Sequence, residues 1–336
     1  MMIPVSIKGI GKSLPEKVIS NDDLSAILDT NDEWISSRTG IKERRVVSGN
    51  ESASELAYKA SLNALENAGL DKTELDMIIA ATSAPDHLYP SLGCEVHGKL
   101  GLDNGIPAFD ATAACTGFVY ALGIARSFIQ TGQCKNILVV GADVNSRVLD
   151  WNDRATCVLF GDGAGAMVVS KSDDDVNRVL SVKMHANGAK SLELKIPLAG
   201  KNCPLVEPRE EEPQFLSMNG REIYKFAVNS VPASVLEALE DAGLTIEDMD
   251  YLVPHQANVR ILDAVSDRLG ISRDIVFANM DKYGNTSAAS IPIALTEAIE
   301  SGFVKTPANV VISGFGAGLT WGSAVIRLEN TGKTNG

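Results

Sequence analysis

An internal repeat restricts the fold of this chain more than any other feature of its sequence. Residues 64–79 (ALENAGLDKTELDMII) and 238–253 (ALEDAGLTIEDMDYLV) are identical at seven of sixteen positions, at a constant offset of 174. Each copy reads as the end of a helix, a capping glycine, a short acidic loop and a buried apolar strand. The same local structure is therefore predicted twice.

A second pair of segments supports this duplication. Residues 136–141 (NILVVG) match residues 309–314 (NVVISG) at an offset of 173. Both are β-branched runs that end in glycine, as expected of buried strands. We therefore predict two related α/β halves, which we place at residues 1–174 and 175–336.

Each half carries a helical segment before its glycine-terminated strand. When the glycines at the ends of these helices, Gly132 and Gly302, are aligned, Cys115 falls opposite Asn285. Helices that alternate with strands predict mainly parallel sheets covered on both faces, with functional groups at the carboxyl ends of strands. Cys115 and Asn285 each follow a strand and open a helix, and His255 follows the strand YLVP, so pseudo-twofold packing would bring all three together.

Composition and charge exclude several classes of protein. The chain has 336 residues, 45% of them hydrophobic and 22% charged, which fits a globular protein with a substantial core. Its net charge of −13 argues against a protein that coats nucleic acid or an anionic membrane. The sequence contains neither a secretory signal nor an apolar run long enough to span a bilayer, so we expect a cytoplasmic location.

Cys115 is the residue best suited to nucleophilic chemistry. Five cysteines form an odd set without a CxxC pair, which disfavours disulfides and zinc sites, and we expect the other four to be small buried residues. Cys115 differs because it opens a helix in DATAACTGFVYAL, where unpaired amides and the helix dipole favour a thiolate. Its small neighbours leave room for a substrate.

His255 and Asn285 each allow an ordinary explanation as well as a functional one. His255 lies in YLVPHQANVRI, between a buried strand and a helix predicted to begin near Asn258, where a hydrogen-bonded structural histidine is also common. Asn285, in KYGNTSAAS, carries an amide that donates a hydrogen bond without changing charge, but asparagine is also a frequent helix cap. Taken alone, neither residue identifies a site.

Two glycine-rich runs resemble nucleotide loops without meeting the required context. FGDGAGAMVV (160–169) is followed by an apolar stretch instead of a helix and lacks a Lys-Ser/Thr pair, so we interpret it as a tight turn between strands. GFGAGLTWG (314–322) follows the strand of the second repeat, where its backbone amides would be able to face a developing oxyanion. His87 and His97 lie close in sequence, but neither has further His, Cys, Asp or Glu residues at the spacing of a metal site.

Taken together, the motifs resemble the β-ketoacyl-acyl carrier protein synthase III family, the initiating condensing enzymes of bacterial type II fatty-acid synthesis. The resemblance runs through six segments in the family's order: NDEWISSRTGI, DATAACTGF, DRATCVLFGDGAGA, PHQANVRI, NTSAASIP and GFGAGLTWGS. It implies a thiolase-like five-layered αβαβα fold and a homodimer. It also implies that Cys115 bears the acyl group, that His255 and Asn285 serve decarboxylation, and that the backbone amides of Cys115 and Ala317 form an oxyanion hole.

The resemblance also assigns substrates and further residues. An acyl-CoA would acylate the cysteine, and malonyl-acyl carrier protein would then condense with the acyl group, with no metal or redox cofactor. Trp34, Arg38 and Arg154 would hold the nucleotide end of coenzyme A, and Tyr89 replaces a phenylalanine that in many relatives ends the acyl pocket, often across the dimer. We also expect a basic face to dock the acidic carrier protein, formed by Lys225, Arg260 and Arg268.

Two alternatives remain open from the sequence. One is a specialised homologue that uses another starter or extender in secondary metabolism, and another is a cysteine-dependent thioesterase or amidase without a condensing step. A non-catalytic acyl-carrier-binding protein would require a broken Cys-His-Asn set, and the set is intact.

Overall fold

The structure is a computed structural model, and it describes residues 2–198, 203–207 and 214–329. The strands in these ranges are β1 (Val5–Ser13), β2 (Val18–Ser20), β3 (Glu43–Arg45), β4 (Met77–Ala81), β5 (Ala108–Asp110), β6 (Asn136–Val144), β7 (Asp162–Lys171), β8 (Val179–Ala186), β9 (Leu194–Lys195), β10 (Ser217–Met218), β11 (Tyr251–Pro254), β12 (Ala308–Gly316) and β13 (Thr320–Leu328). The α-helices are α1 (Asn21–Ser25), α2 (Asp32–Thr39), α3 (Ala53–Ala68), α4 (Leu92–Lys99), α5 (Gly117–Gln130), α6 (Gly220–Asp241), α7 (Val259–Leu269), α8 (Met280–Tyr283) and α9 (Ser290–Glu300). None of these helices is both long and apolar enough to span a bilayer.

Two larger sheets form the framework of the molecule. One has the strand order β1-β7-β6-β4-β5 and the other β11-β12-β13-β8. Helices α5 and α9 pack between the sheets, α3 and α4 cover the outer face of the first sheet, and α6 and α7 cover the second. The layers therefore alternate αβαβα, which confirms the fold implied by the family resemblance.

The expectation of mainly parallel sheets is wrong. In the first sheet β4 pairs in parallel with β5 and β6, but β7 is antiparallel to both β1 and β6. In the second sheet only β11 and β12 are parallel. Tight connections account for this difference, because the three residues between β12 and β13 are enough for a hairpin but not for a parallel crossover.

The duplicated elements recur in the same order, but the two copies do not align as predicted from Gly132 and Gly302. Ala114 and Ser287, 173 residues apart, both adopt left-handed backbone angles, with φ of 47° and 51°. Cys115 therefore corresponds to Ala288, not to Asn285. The reason is helix length: α5 has 14 residues and α9 has 11, so aligning their ends displaces their beginnings by three.

The glycine-rich run at 160–169 is mostly strand, not a turn. Gly163 and Gly165 lie in β7, where α9 packs directly on the sheet. A Cβ atom at Gly165 would come within 2.7 Å of the Cβ atom of Pro292. The glycines therefore serve close helix–sheet packing, which explains why the run lacks the residues of a phosphate loop.

Candidate active site

One cavity of about 560 Å³ opens between the two sheets and contains residues from both halves of the chain. Its lining includes Cys115, His255 and Asn285, together with Trp34, Arg38 and Ala317. Among the lining residues in the described ranges none is an aspartate or a glutamate. The three residues selected from the sequence thus meet in one pocket.

Cys115 lies in a 3-10 turn (Ala114–Thr116) that leads directly into α5. Its thiol is buried and donates to Oγ of Ser287 over 3.5 Å. Burial raises the pKa of the Cys115 thiol to about 12, and the hydrogen bond to Ser287 only partly offsets this. The expectation that the helix start would favour a thiolate is therefore wrong, because desolvation outweighs the helix dipole.

His255 is fixed from three sides. Its backbone N–H donates to the carbonyl oxygen of Ser313 at 2.8 Å, and its ring packs edge-on against Phe315 at 5.1 Å between centroids. The Nδ1 atom lies 2.6 Å from Oγ of Ser290. Burial lowers the pKa of His255 to about 3, so the imidazole is neutral. With Nδ1 engaged by the serine, Nε2 is the ring atom left for a substrate.

The side chain of Asn285 has a defined orientation. Its backbone N–H donates to the Leu159 carbonyl at 2.8 Å, and its carbonyl accepts from the N–H of Gly161 at 3.0 Å. Its Oδ1 atom accepts from the backbone N–H of Ser287 at 2.8 Å. Because the oxygen end of the amide is held in this way, the NH₂ end is the one available in the cavity.

The glycine loop of the second half lies directly beside Cys115. A Cβ atom at Gly316 would lie 2.9 Å from the backbone nitrogen of Cys115, so only glycine permits this approach. Ala317 follows in the cavity wall, where its carbonyl accepts from Oγ1 of Thr320 at 2.9 Å. The two backbone amides expected to form an oxyanion hole therefore belong to neighbouring segments.

The three residues expected at the nucleotide end form one cluster. The guanidinium carbon of Arg38 lies 4.7 Å from the centre of the Trp34 ring, and that of Arg154 lies 5.2 Å from it. Arg154 also donates to the Asp29 backbone carbonyl. This cluster offers a flat aromatic surface and two cations to a phosphorylated ligand.

The remaining predicted residues lie outside the cavity. Tyr89 is 84% exposed and does not line the pocket of its own chain. Lys225 lies in α6 beside the lining residue Tyr224, and Arg260 lies in α7 beside the lining residue Ile261. Arg268, at the far end of α7, donates to Asn229 of α6.

Lys225 and Arg260 differ in what else they contact. Lys225 pairs with Glu222 at 2.8 Å, whereas Arg260 donates to the Ser37 carbonyl at 2.9 Å, next to Arg38.

Of the cysteines outside the cavity, Cys134 and Cys157 are buried as expected, but Cys94 and Cys203 are exposed. In the described ranges no group of three or more His, Cys, Asp or Glu side chains is placed to hold a metal ion.

Sequence reasoning missed the residues that orient the predicted ones. Ser287 contacts Cys115 and Asn285, Ser290 contacts His255, and Asp143 contacts the turn that contains Ser287. The two serines stand in the motif NTSAAS, but nothing in that motif indicates which serine reaches which partner. Asp143 follows the repeated strand NILVVG, and only its position in an otherwise apolar run marks it.

Comparisons with known proteins agree with this fold and site. Residues 109–188 match the family model described as 3-oxoacyl-[acyl-carrier-protein] synthase III, and residues 239–328 match the model for the C-terminal part of the same family. The chain is similar to the beta-ketoacyl-[acyl-carrier-protein] synthase III of Clostridium acetobutylicum, with 48% identity over 97% of this chain and 99% of that protein. The corresponding protein of Xanthomonas campestris is 47% identical over 96% of this chain and 97% of its own length.

Solved structures show the same likeness. The crystal structure of 3-oxoacyl-[acyl-carrier-protein] synthase III from Aquifex aeolicus has a TM-score of 0.89 and 46% identity, covering 96% of this chain and 100% of that one. A priming beta-ketosynthase from a polyketide biosynthetic pathway has a TM-score of 0.88 and 35% identity, covering 98% and 97%. The fold is thus that of the thiolase-type condensing enzymes, which are acyltransferases. Within that class, the chain belongs to the 3-oxoacyl-[acyl-carrier-protein] synthase III family.

Proposed function

We propose that this enzyme condenses an acyl-CoA starter with malonyl-acyl carrier protein to give a 3-oxoacyl-acyl carrier protein, the first elongation of fatty-acid synthesis. The observation that carries the proposal is the convergence of a thiol, a neutral imidazole and an oriented amide in one cavity. Family membership supports the same reaction. We further propose that the reaction takes place in the cytoplasm.

In the first half-reaction, Cys115 exchanges its proton for the acyl group. Sulfur attacks the thioester carbon of acyl-CoA, a C–S bond to the enzyme forms, and the bond to coenzyme A breaks. The thiol proton leaves with coenzyme A. The oxyanion of the tetrahedral intermediate would accept from the backbone amides of Cys115 and Ala317, which lie in adjacent segments.

In the second half-reaction, His255 and Asn285 would stabilise an enolate. If Ser290 donates to Nδ1 of His255, the ring proton resides on Nε2, and both Nε2–H and the Asn285 NH₂ donate to the malonyl thioester oxygen. The bond to the carboxylate then breaks and carbon dioxide leaves. The enolate carbon attacks the acyl-enzyme and expels the Cys115 thiolate. The bonding electrons come from decarboxylation, so the reaction needs no metal or redox cofactor.

Product analysis tests this proposal against hydrolysis. The enzyme is incubated with acetyl-CoA and with malonyl-acyl carrier protein labelled in its free carboxyl group, and the carrier protein is weighed. Condensation releases labelled carbon dioxide in step with a longer carrier-protein thioester. A cysteine-dependent thioesterase would instead release acetate without carbon dioxide, and this outcome would rule the proposal out.

The second candidate is a specialised homologue that primes another pathway. It is favoured by the 35% identity to a priming beta-ketosynthase over nearly the whole chain. The two candidates differ in the starter, so acylation by a panel of straight and branched acyl-CoAs separates them. Preference for a starter that fatty-acid synthesis does not use would favour the specialised role.

The neutral state of His255 predicts a pH profile. Because burial lowers its pKa to about 3, the imidazole stays uncharged above that value and its protonation does not change near neutral pH. Carbon dioxide release should therefore show no inflection from this residue between roughly pH 5 and 8, where an ordinary histidine titrates. The measurement is the rate of labelled carbon dioxide release from pre-acylated enzyme. An inflection near pH 6.5 that disappears in His255→Gln would contradict the expectation.

We propose that the nucleotide end of coenzyme A binds at Trp34, Arg38 and Arg154. Support comes from the position of both guanidiniums against the indole ring, and from Trp34 and Arg38 lining the cavity, with Arg154 next to the lining residue Ala155. Arginine suits phosphate groups and aromatic faces alike.

We also propose a homodimer in which Tyr89 enters the acyl pocket of the partner. Two features of the single chain support it. Tyr89 and its neighbour Leu88 are 84% and 72% exposed, which is unusual for large apolar side chains, and β5 ends the first sheet without a further strand in the described ranges.

The carrier protein would dock on the basic face formed by Lys225, Arg260 and Arg268. Replacing Lys225 with glutamate should raise the apparent KM for malonyl-acyl carrier protein on the order of 10-fold at low salt, and less at high salt, because rim charges act on association. Steady-state rates with each substrate measure the effect. Lys225 is the cleaner probe because Arg260 also holds the Ser37 carbonyl.

The matched control is Lys59→Glu, a charge reversal on α3 in the opposite outer layer. It should leave both KM values unchanged. If Lys225→Glu raises the KM for acyl-CoA as much as the KM for the carrier protein, docking at this face is refuted.

A further inference from the structure

A fully buried carboxylate, Asp143, lies at the end of β6. Its Oδ1 atom accepts hydrogen bonds from Oγ1 of Thr82 at 3.0 Å and from the backbone amides of Ser83 and Ala84 at 2.6 and 2.8 Å. These donors belong to the segment that follows β4. One oxygen of the carboxylate is therefore fully used within the first half of the chain.

The other oxygen reaches the second half. Oδ2 of Asp143 accepts from the backbone amide of Ala288 at 2.8 Å. A buried charge requires strong hydrogen bonding to persist. Asp143 is hydrogen-bonded by donors of both halves of the chain, and the donor from the second half lies in the turn that follows Asn285.

This turn is the one that orients the Asn285 amide. Ser287 adopts a left-handed conformation with φ of 51°, which is unfavourable for a residue with a side chain. In that conformation its backbone N–H donates to Oδ1 of Asn285 at 2.8 Å. The backbone of Asn285 itself is held separately, by Leu159 and Gly161. The amide orientation, but not the backbone position, thus depends on the Ser287 turn.

We propose that Asp143 is a positioning residue for decarboxylation: it holds the left-handed Ser287–Ala288 turn and thereby keeps the NH₂ end of Asn285 facing the malonyl thioester. This inference rests on the proposed function. The first half of the chain thus contributes the nucleophile and also the group that aligns the second half's hydrogen-bond donor.

The charge of Asp143 gives the proposal a distinctive signature. Burial raises the pKa of the Asp143 carboxyl, and the backbone amides of Ser83, Ala84 and Ala288 oppose this by favouring the ionised form. In that form its negative charge raises the pKa of the Cys115 thiol, in addition to the larger effect of burial. Removing the charge should therefore make the thiol ionise at lower pH, while the loss of the turn contact should impair decarboxylation. A purely structural role predicts losses in both half-reactions.

Asp143→Asn is the variant that separates these effects. The amide keeps one oxygen for Thr82, Ser83 and Ala84, but places an NH₂ group against the Ala288 N–H. We expect carbon dioxide release from pre-acylated enzyme to fall on the order of 10- to 100-fold, as for a misplaced catalytic group. Acylation by acetyl-CoA should be retained, and the pH midpoint of Cys115 alkylation by iodoacetamide should move down.

Asp162→Asn is the matched control. Asp162 is also fully buried, and its carboxylate accepts from the backbone amides of Val47 and Ser146 and from the Ser146 hydroxyl, none of which belongs to the Ser287 turn. It should lower the unfolding temperature as Asp143→Asn does, but without the selective loss of carbon dioxide release. If the two variants have the same kinetic profile, or if Asp143→Asn slows both half-reactions equally, the positioning role is wrong.

Two further variants keep the outcome decisive. Should Asp143→Asn fail to fold, Ser287→Thr keeps the hydroxyl but disfavours the same turn, because a β-branched residue is strained at a φ of 51°, and unchanged carbon dioxide release would overturn the proposal. Asn285→Ala in the same assay separates this inference from the proposed function. If Asn285→Ala keeps decarboxylation, the role proposed for Asn285 in the reaction fails; if only Asp143→Asn and Ser287→Thr keep it, the inference alone fails.

Discussion

Replacing Cys115 with alanine is expected to abolish the acyl-enzyme and to lower condensation on the order of 1,000-fold or more, as for loss of a catalytic nucleophile. The thiol lies in the cavity shared by both halves, beside the two backbone amides expected to stabilise the oxyanion. Mass spectrometry after incubation with acetyl-CoA should show one acetyl group on wild type, within the peptide that contains Cys115, and none on the variant.

Cys134→Ala provides the control for this experiment. Cys134 is also buried but does not line the cavity, so its replacement should leave acylation unchanged. Acetyl transfer to another cysteine of the Cys115→Ala variant would show that the nucleophile has been assigned wrongly.

Loss of either hydrogen-bond donor should separate the two half-reactions. His255→Ala and Asn285→Ala are expected to form the acyl-enzyme but to release carbon dioxide on the order of 100-fold more slowly, because each removes one donor to the enolate oxygen. Asn285→Asp is the sharper variant. It keeps an oxygen that can accept from the Ser287 N–H, but it replaces the donating NH₂ with a second acceptor.

The readout is labelled carbon dioxide from pre-acylated enzyme, with acylation measured separately by mass. His185→Ala is a suitable control, because His185 lies in β8 and is not part of the cavity wall. If His255→Ala instead blocks acylation as severely as Cys115→Ala, His255 acts as the base of a hydrolase-like pair and the proposed division of labour is incorrect.

The repeat predicted the α/β elements because both copies preserve the helix, glycine, loop and strand pattern, and the five-layered arrangement followed from the family resemblance. The exact alignment of the two copies could not be predicted in this way. The helices α5 and α9 differ in length by three residues, and a pattern anchored at their glycines cannot reveal at which end the difference lies. The left-handed residues Ala114 and Ser287 identify the equivalent positions, but backbone angles are not visible in a sequence.

The residues of the candidate site could also be predicted more readily than their pKa values. Helix-start position suggested an ionised Cys115, whereas the pKa in the folded chain depends on how completely the pocket excludes water. Asp143 went unrecognised for a related reason. Its importance comes from contacts with Ala288, 145 residues away, which only the packing of the two halves creates.

The central layer has a consequence for how such a chain arose. Its buried cluster combines residues of α5, from the first half, with residues of α9, from the second, so neither half can cover its own inner face. An ancestor that consisted of a single half would have needed a second copy of itself at this surface. Fusion of two such copies would leave each turn free to differ: the turn before α5 contains the thiol of Cys115, and the turn before α9 holds the amide of Asn285.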